Sequence, residues 1–295
     1  MDHEERAGGG RADPLVTLEA LFDDPSPTVW RAVQRELKRR GKGAQAVLAR
    51  LARSGSPRAR ARARRLLLDA GRARAARRLA GYALRDDALL ERGLLLLARF
   101  GYPNLDARPC LAALDALGAE LLRRTEHMPP TIDRALCAAR YLGEELGYSG
   151  TEEDYDHPDH VFLHRAIETK RGLPLTLAAL YQSVARRAGI RAHLVGLPGH
   201  VVLRLWGNDR RALVDPFRGG AELSERDCLA YLAGRGLTFR PRWFQDASDA
   251  DMLERQIQNL AASYRRRGLV REVALLGRVL RVLQSRRARA VEVAP

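Results

Sequence analysis

The residues best placed for chemistry are His200 and Asp215, which lie in two runs with the alternating pattern of β-strands. A hairpin turn at residues 207–210 pairs these strands so that Val202 faces Asp215. His200 lies two residues from Val202, so it shares a sheet face with Asp215, about 7–8 Å away at Cα. A slip of one residue in the register would place the two on opposite faces. In the predicted register, the carboxylate can hold the imidazole in one tautomer and stabilise its protonated form.

The residue that should supply a nucleophile to this pair is a proline. Pro174 stands at the predicted start of a helix, where its fixed φ and missing N–H suit the first turn. A thiol at a helix start has a lowered pKa, so this is where the cysteine of a thiol–imidazole–carboxylate triad belongs. Proline offers no nucleophilic atom, and thiolate attack therefore cannot begin at this position.

Three other side chains are candidates for a relocated nucleophile. Thr176 lies about 200° around the helix from Pro174, and Ser183 lies more than two turns deeper. Cys137 belongs to another predicted helix and could approach in space, but nothing in the sequence places it there. The simpler interpretation of Cys137 and Cys228 is that small apolar side chains fill the core. The three cysteines are an odd number without a CxxC pair, which argues against a disulfide framework and a thiolate zinc site.

A second cluster of candidate residues lies in the run DYDHPDHVFLH. This run places His157, His160 and His164 at spacings of three and four among aspartates. His160 and His164 would share a helix face, which is a spacing that suits metal ligands. The run straddles a proline loop, so no fixed geometry follows from the spacing. We interpret the imidazoles as solvated and predict neither a metal nor a cofactor.

These motifs together resemble the bacterial transglutaminase-like superfamily. Its pattern is glycine, any residue and cysteine, then an alanine-bearing helix ending near arginine, two residues and glycine, then a His strand and an Asp-Pro strand. The resemblance puts the catalytic-cysteine position at Pro174 and implies that His200 and Asp215 are a remnant catalytic dyad. The matching residues are Gly172, Leu173, Pro174, Ala178, Leu180, Tyr181, Arg186, Gly189, Ile190, His200, Asp215 and Pro216.

A closer resemblance is to the SirB-one type branch, and it covers residues 90–285. It implies a transglutaminase-like core followed by a tetratricopeptide-like helix pair, but it supplies no substrate. The chain departs from the branch at His164, where an asparagine is common, and at Val201, where a phenylalanine is common. The matching residues are Tyr155, Asp156, Pro158, Leu163, Ile167, Glu168, Arg171, Gly172, Leu173, Pro174, Leu180, Tyr181, Pro198, Gly199, His200, Asp215, Pro216, Phe217, Gly219 and Gly220.

An internal repeat with a step of 30 residues precedes this core. Apolar residues recur at helical spacing, and a glycine four residues after a repeated leucine predicts a helix end, because glycine adopts the left-handed conformation without a Cβ penalty. Each unit resembles a degenerate HEAT-type helix pair, which leaves one face for partners. The repeated positions are Leu37, Leu67 and Leu97, Gly41, Gly71 and Gly101, Pro27 and Pro57, and Leu21 and Leu51.

The elements together predict an α+β fold. A small antiparallel sheet should pack on the 174–188 helix in a transglutaminase- or papain-like core, with an N-terminal helical repeat and a C-terminal helix pair. The predicted segments are a disordered tail over 1–13, a HEAT-like repeat over 14–103, the core over 104–245, and a tetratricopeptide-like hairpin and tail over 246–295.

Composition sets limits on partners and location. The net charge is +15 and all but three of the 51 basic residues are arginine, which makes nucleic acid an alternative partner. The arginines are scattered and no groove-reading motif accompanies them, so we do not favour nucleic acid as the partner. No apolar run approaches the roughly 18 residues of a membrane span. The acidic, glycine-rich start is unlike a signal peptide, so a cytoplasmic location is expected.

Three functions are compatible with this sequence. The first is a non-catalytic transglutaminase-like adaptor or regulator that acts through protein–protein contacts. The second is a hydrolase or acyltransferase that uses His200 and Asp215 with a relocated nucleophile. The third is an arginine-rich nucleic-acid binder. Whether the dyad is structural, binds a ligand or keeps acid–base activity is left open at this point, and we favour the first function.

Overall fold

The computed structural model describes residues 20–41 and 43–293, with side chains described as far as residue 285. The predicted tail over 1–13 lies outside the described residues. The chain divides into two compact units, one ending at Gly71 and the other beginning at Arg72. The 30-residue repeat and its HEAT-like character stay predictions.

The first unit is helical. Its helices are α1 (Pro27–Arg40), α2 (Gly43–Ser54) and the first part of α3 (Pro57–Ala83). Ser26 caps α1, because its hydroxyl oxygen accepts the backbone N–H groups of the first turn. The apolar faces bury a small core made of Phe22, Val33, Leu37, Ala44, Val47, Leu48, Leu51, Ala59 and Ala63.

The glycines predicted to end helices behave differently. Gly41 follows the last residue of α1 and has a φ of 56°, as a helix stop requires. Gly101 is the last residue of α4 (Leu90–Gly101). The stop predicted at Gly71 is wrong, because α3 continues through it. Alanine, leucine and arginine surround Gly71 on both sides, and their helix propensity outweighs the cost of about 1 kcal/mol for a glycine in a helix interior.

In the second unit, helices surround one central helix. That helix, α8 (Pro174–Arg187), is apolar on almost every side and buried from Pro174 to Ala185. It packs against α5 (Arg108–Thr125) and against the first two strands of the sheet. The other helices before the sheet are α5 (Arg108–Thr125), α6 (Ile132–Ala139) continuing as a π-helix (Arg140–Glu145), a 3₁₀ turn (Pro158–Val161) and α7 (Leu163–Thr169).

The sheet has four antiparallel strands in the order β1-β2-β3-β4. The three predicted strands are confirmed, and Trp206 pairs with Arg211 across the hairpin. β4 was not predicted, because it has only three residues and is mostly exposed, so it carries no alternating pattern. The strands are β1 (Ala192–Leu197), β2 (His200–Trp206), β3 (Arg211–Asp215) and β4 (Ala221–Leu223).

Helices also follow the sheet. α9 (Glu225–Ala233) is followed by a 3₁₀ turn (Pro241–Phe244), then by α10 (Asp249–Arg266) and α11 (Val270–Val293). Gly268 lies at the joint of the last two helices with a φ of 68°. The tetratricopeptide-like character of that pair stays a prediction. Among the described residues, none of the helices has both the length and the apolar content needed to cross a bilayer.

Candidate functional site

The predicted site residues line one cleft of about 860 Å³ in the second unit. We call Pro174, His200 and Asp215 the floor of this cleft. We call Cys228 and Tyr231 of α9, together with Arg235 just after it, the α9 wall. The structure therefore brings together all three residues of the predicted site, and it adds a wall from a later part of the chain.

His200, which is half-buried, and Asp215, which is buried, form a hydrogen-bonded pair. His200 Nε2 lies 3.0 Å from Asp215 Oδ2, and the two side chains are 13% and 3% exposed. Asp215 Oδ1 accepts the backbone N–H of Phe217 at 3.0 Å. Because the carboxylate of Asp215 accepts a hydrogen bond from Nε2–H of His200, the free lone pair of the imidazole lies on Nδ1. Among the described residues Nδ1 has no hydrogen-bond partner, so it is the nitrogen that can serve a reacting group or a ligand.

The β1–β2 hairpin fixes the position of His200. The hairpin turns at Pro198 and Gly199, where Gly199 has a φ of 75°, and Leu197 pairs with His200. Arg255 of α10 donates from Nη2 to the carbonyl oxygens of Leu197 at 2.9 Å and His200 at 3.0 Å. These contacts hold together the backbone on both sides of the turn and so restrain the position from which the imidazole projects.

The loop after β3 fixes the position of Asp215. Gly219 and Gly220 have φ values of 65° and 83°, as the sequence predicted for a tight turn. The turn packs on Gly143 of the π-helix, where an added Cβ would lie 1.7 Å from the carbonyl oxygen of Gly219. Arg218 lies in the same loop with its Nε 3.7 Å from Asp215 Oδ2, and its side chain is 69% exposed.

The helix start at Pro174 is as predicted. Pro174 is the first residue of α8, and no side chain caps this end of the helix. Thr176 cannot act as the nucleophile, because its hydroxyl is buried and donates to the carbonyl oxygen of His160 at 2.8 Å. The same hydroxyl oxygen accepts from Gln256 Nε2 at 2.8 Å. Both bonds serve to join α8 to its neighbours.

The thiol that reaches the cleft is not the one the sequence suggested. Cys137 lies on α6, where its sulfur accepts from Arg140 at 3.3 Å. Cys228 lines the cleft instead, although only 2% of it is exposed. Burial among Val195, Leu197, Val202 and Leu213 raises the pKa of Cys228 to about 11. Within the described chain no hydrogen bond joins the Cys228 sulfur to His200.

Sequence reasoning also missed Tyr231, Arg235 and Arg255. The ring of Tyr231 lies 5.4 Å from the imidazole of His200, and the guanidinium of Arg235 lies 4.8 Å from the ring of Tyr231. These residues come from α9 and α10, far from His200 along the chain. No spacing or motif connects them to the site, so only the tertiary fold reveals them.

The three clustered histidines do not form a site. His157 accepts the N–H of Asp159 at 3.1 Å, while His160 lies on the 3₁₀ turn near the carbonyl oxygen of Tyr155. His164 is buried on α7 with its ring 4.8 Å from the ring of Tyr102, and burial lowers its pKa. The predicted shared helix face is wrong, because the turn ends before α7 begins. Among the described residues, no group of histidine, cysteine and acidic side chains could hold a metal ion.

The class of this protein is defined by a central buried helix, an antiparallel sheet and a histidine–aspartate pair on the floor of the cleft. The chain belongs to the transglutaminase-like superfamily, whose sequence model matches residues 108–258. The resemblance predicted from the motifs is thereby confirmed at the level of the superfamily.

Several curated proteins are similar to the chain. A UPF0162 protein of Xylella fastidiosa (strain Temecula1) is 35% identical over 133 residues, which are 45% of this chain and 47% of that protein. A UPF0162 protein of Pseudomonas aeruginosa is 27% identical over 176 residues, 59% of this chain and 63% of that protein. F-box only protein 21 of Mus musculus is 27% identical over 144 residues, which are 46% of this chain and 22% of that protein. The chain spans about half the length of the first of these relatives. No solved structure matches.

Proposed function

We propose that this protein is a non-catalytic member of the superfamily, of the SirB-one type, that acts as an adaptor or regulator through protein–protein contacts. One observation carries the proposal: the floor holds a bonded His200–Asp215 pair, and the residue that shares the cleft at the start of α8 is Pro174. A cytoplasmic location, predicted from the sequence, is part of the proposal.

Chemistry by the covalent route needs an attacking atom beside the imidazole. Acyl transfer begins when a base takes the proton of a nucleophile within hydrogen-bond reach. Pro174 has no such proton. A Cys228 thiol with a pKa of about 11 is almost wholly protonated near neutral pH. The cleft therefore keeps an acid–base pair without an attacking atom at Pro174, which supports a binding role rather than a catalytic one.

Protein contact is supported by exposed apolar side chains in the segment that carries the α9 wall. Leu229, Leu237 and Phe239 are 41%, 36% and 45% exposed, and they follow one another on and after α9. Large apolar side chains grouped on a surface are typical of protein-binding sites. This segment also carries the α9 wall, so a partner that covers it would also meet the cleft.

The second candidate function is a hydrolase or acyltransferase with Cys228 as its nucleophile. Cys228 favours it, because this thiol lines the same cleft as His200. A thiol-directed activity probe separates the two functions when labelled peptides are identified by mass spectrometry. The adaptor proposal predicts no labelling of the native protein at Cys228, whereas the enzyme predicts labelling there that His200→Gln abolishes.

Affinity purification from the native host, followed by mass spectrometry, tests the adaptor role. The wild-type chain should capture a protein partner that His200→Gln retains, since this variant removes acid–base chemistry and keeps a polar side chain of similar size. Phe239→Asp should lose the partner. A partner that depends on His200 and survives Phe239→Asp would contradict the proposal. A bound nucleic acid released steeply by salt would favour the third function instead.

A further inference from the structure

A second cavity of about 340 Å³ adjoins the floor of the cleft. It shares Pro174, His200 and Arg235 with the cleft, and it extends toward Arg255 and Asn259 of α10. We call it the arginine cavity. Nothing in the chemistry of the dyad requires a cationic compartment at this place.

The arginine cavity has an excess of positive charge. Its lining contains the three arginines Arg235, Arg255 and Arg266 and one carboxylate, Asp156. Asp156 is paired with Arg266, whose charge it neutralises. Among the described residues no carboxylate forms an ion pair with Arg235 or Arg255, so two positive charges are left uncompensated.

Arg255 is the more unusual of the two cations. Most of its side chain is withdrawn from water, and this burial lowers its pKa. Its Nη2 donates to the carbonyl oxygens of Leu197 and His200, and within the described chain Nε and Nη1 have no acceptor. A half-buried cation without a counter-charge is costly, and an anion that enters the cavity would reduce that cost.

We propose that the arginine cavity binds the carboxylate of an acidic peptide segment through Arg255 and Arg235. The planar guanidinium forks match a carboxylate in shape and donate charge-assisted hydrogen bonds to it. The aromatic side of the cleft, with Tyr155, Phe217 and Tyr231, offers apolar surface for the rest of the segment. The inference deepens the proposed function and rests on it, because the peptide would belong to the protein partner.

Peptide titration of the full, ¹⁵N-labelled chain tests the proposal through the Nε–H signals of its buried arginines. The probes are Ac-Ala-Ala-Glu-Ala-Ala-NH₂, the same peptide with glutamine, pentaalanine with a free carboxyl end, and inorganic phosphate. The glutamate peptide tests a side-chain carboxylate, and the free carboxyl end tests the terminal one. At least one of them should bind, and the glutamine peptide should not.

Substitution locates the carboxylate. Arg255→Met should weaken binding about tenfold or more, the effect of losing charge-assisted hydrogen bonds. Arg267→Met, at the residue that follows the same helix, is the matched control, because Arg267 pairs with Asp154 and does not line the cavity. Arg235→Met should also weaken binding. Because Arg235 is exposed and does not hold the hairpin, this variant shows that the loss of binding comes from the missing cation and not from a hairpin loosened by Arg255→Met.

The proposal is overturned if both peptide carboxylates fail to bind, if the glutamine peptide binds equally, or if phosphate binds more tightly than either carboxylate peptide. Equal affinity of wild type, Arg255→Met and Arg235→Met would also overturn it. Failure of the adaptor role is distinguishable from failure of this site. If Arg255→Met captures the partner as well as the wild type does, the adaptor role stands and the carboxylate site is refuted. If peptide binding depends on Arg255 but no partner is captured, the carboxylate site stands and the adaptor role is refuted.

Discussion

The floor and the α9 wall of the same cleft are held in place to very different degrees. On the floor, Asp215 is 3% exposed, and its carboxylate bonds a backbone N–H with one oxygen and the imidazole of His200 with the other. On the wall, Arg235 is exposed and rests on the ring of Tyr231. The floor therefore has one arrangement, whereas the exposed end of the wall, at Arg235, can adjust to what enters.

The same contrast supports the proposal that the cleft, which is lined by both a thiol and a histidine, is not catalytic. The floor has the geometry for acid–base chemistry and Pro174 where the attacking atom would stand. The wall has a thiol, Cys228, but buries it in apolar surroundings that oppose its ionisation. A nucleophile needs an electropositive, accessible place as well as a base, and neither region supplies both.

The largest expected effect concerns the reactivity of Cys228. Its raised pKa leaves about one thiol in a thousand ionised at pH 8, against about a quarter of an ordinary cysteine, so alkylation should be about two hundredfold slower. The rate should rise with pH until it approaches 11. Iodoacetamide labelling with mass spectrometry measures it, and Cys110, buried with a pKa of about 12, is the internal control. If Cys228 is labelled at the rate of a free cysteine, the wall does not oppose ionisation of its thiol, and the contrast between floor and wall is wrong.

The next effect concerns the packing that holds the floor. Gly143→Ala places a methyl group against the backbone of Gly219, and we expect the free energy of unfolding to fall by about 3 kcal/mol. Gly81→Ala is the matched control, because nothing lies within 4 Å of its Cβ and alanine favours the helix. Urea denaturation measures both. Equal stability of Gly143→Ala and wild type would show that the loop carrying Asp215 is loosely held.

A smaller effect is expected from the dyad itself. Asp215→Ala leaves the N–H of Phe217 and the ring N–H of His200 without acceptors, at a cost of about 2 kcal/mol of unfolding free energy. Asp215→Asn keeps an acceptor for the backbone and should cost about half as much. If both variants denature at the urea concentration of the wild type, the pair does not fix the floor.

The smallest effect is expected on the wall. Arg235→Ala removes an exposed side chain whose main contact is the ring of Tyr231, so the free energy of unfolding should change by less than about 1 kcal/mol. The same urea denaturation applies. A loss as large as that of Asp215→Ala would mean that the wall is as firmly built as the floor.

The parts of this protein that could be predicted depend on local pattern. Strand alternation and the turn at 207–210 were sufficient to place His200 and Asp215 on one face, and Pro174 marked the start of α8. Gly71 failed as a helix stop, because its strong helix-forming neighbours outweigh one glycine.

The rest depends on contacts between distant segments. Cys228 reaches the cleft and Arg255 reaches the arginine cavity because α9 and α10 fold back over the hairpin, and no periodicity in either segment indicates this. The spacing of His160 and His164 was misleading for the same reason, since a change from 3₁₀ turn to α-helix separates them.

The central claim is that the floor keeps the arrangement of a thiol–imidazole–carboxylate site and lacks only the sulfur. Pro174→Cys restores it, and the pH dependence of iodoacetamide alkylation gives the pKa of the introduced thiol. The expected pKa lies below about 7 and rises toward about 8.5 when His200→Ala is added. Pro57→Cys, at an exposed helix start in the first unit, shows the contribution of a helix end without a histidine. An introduced thiol with an ordinary pKa that does not respond to His200→Ala would contradict the account.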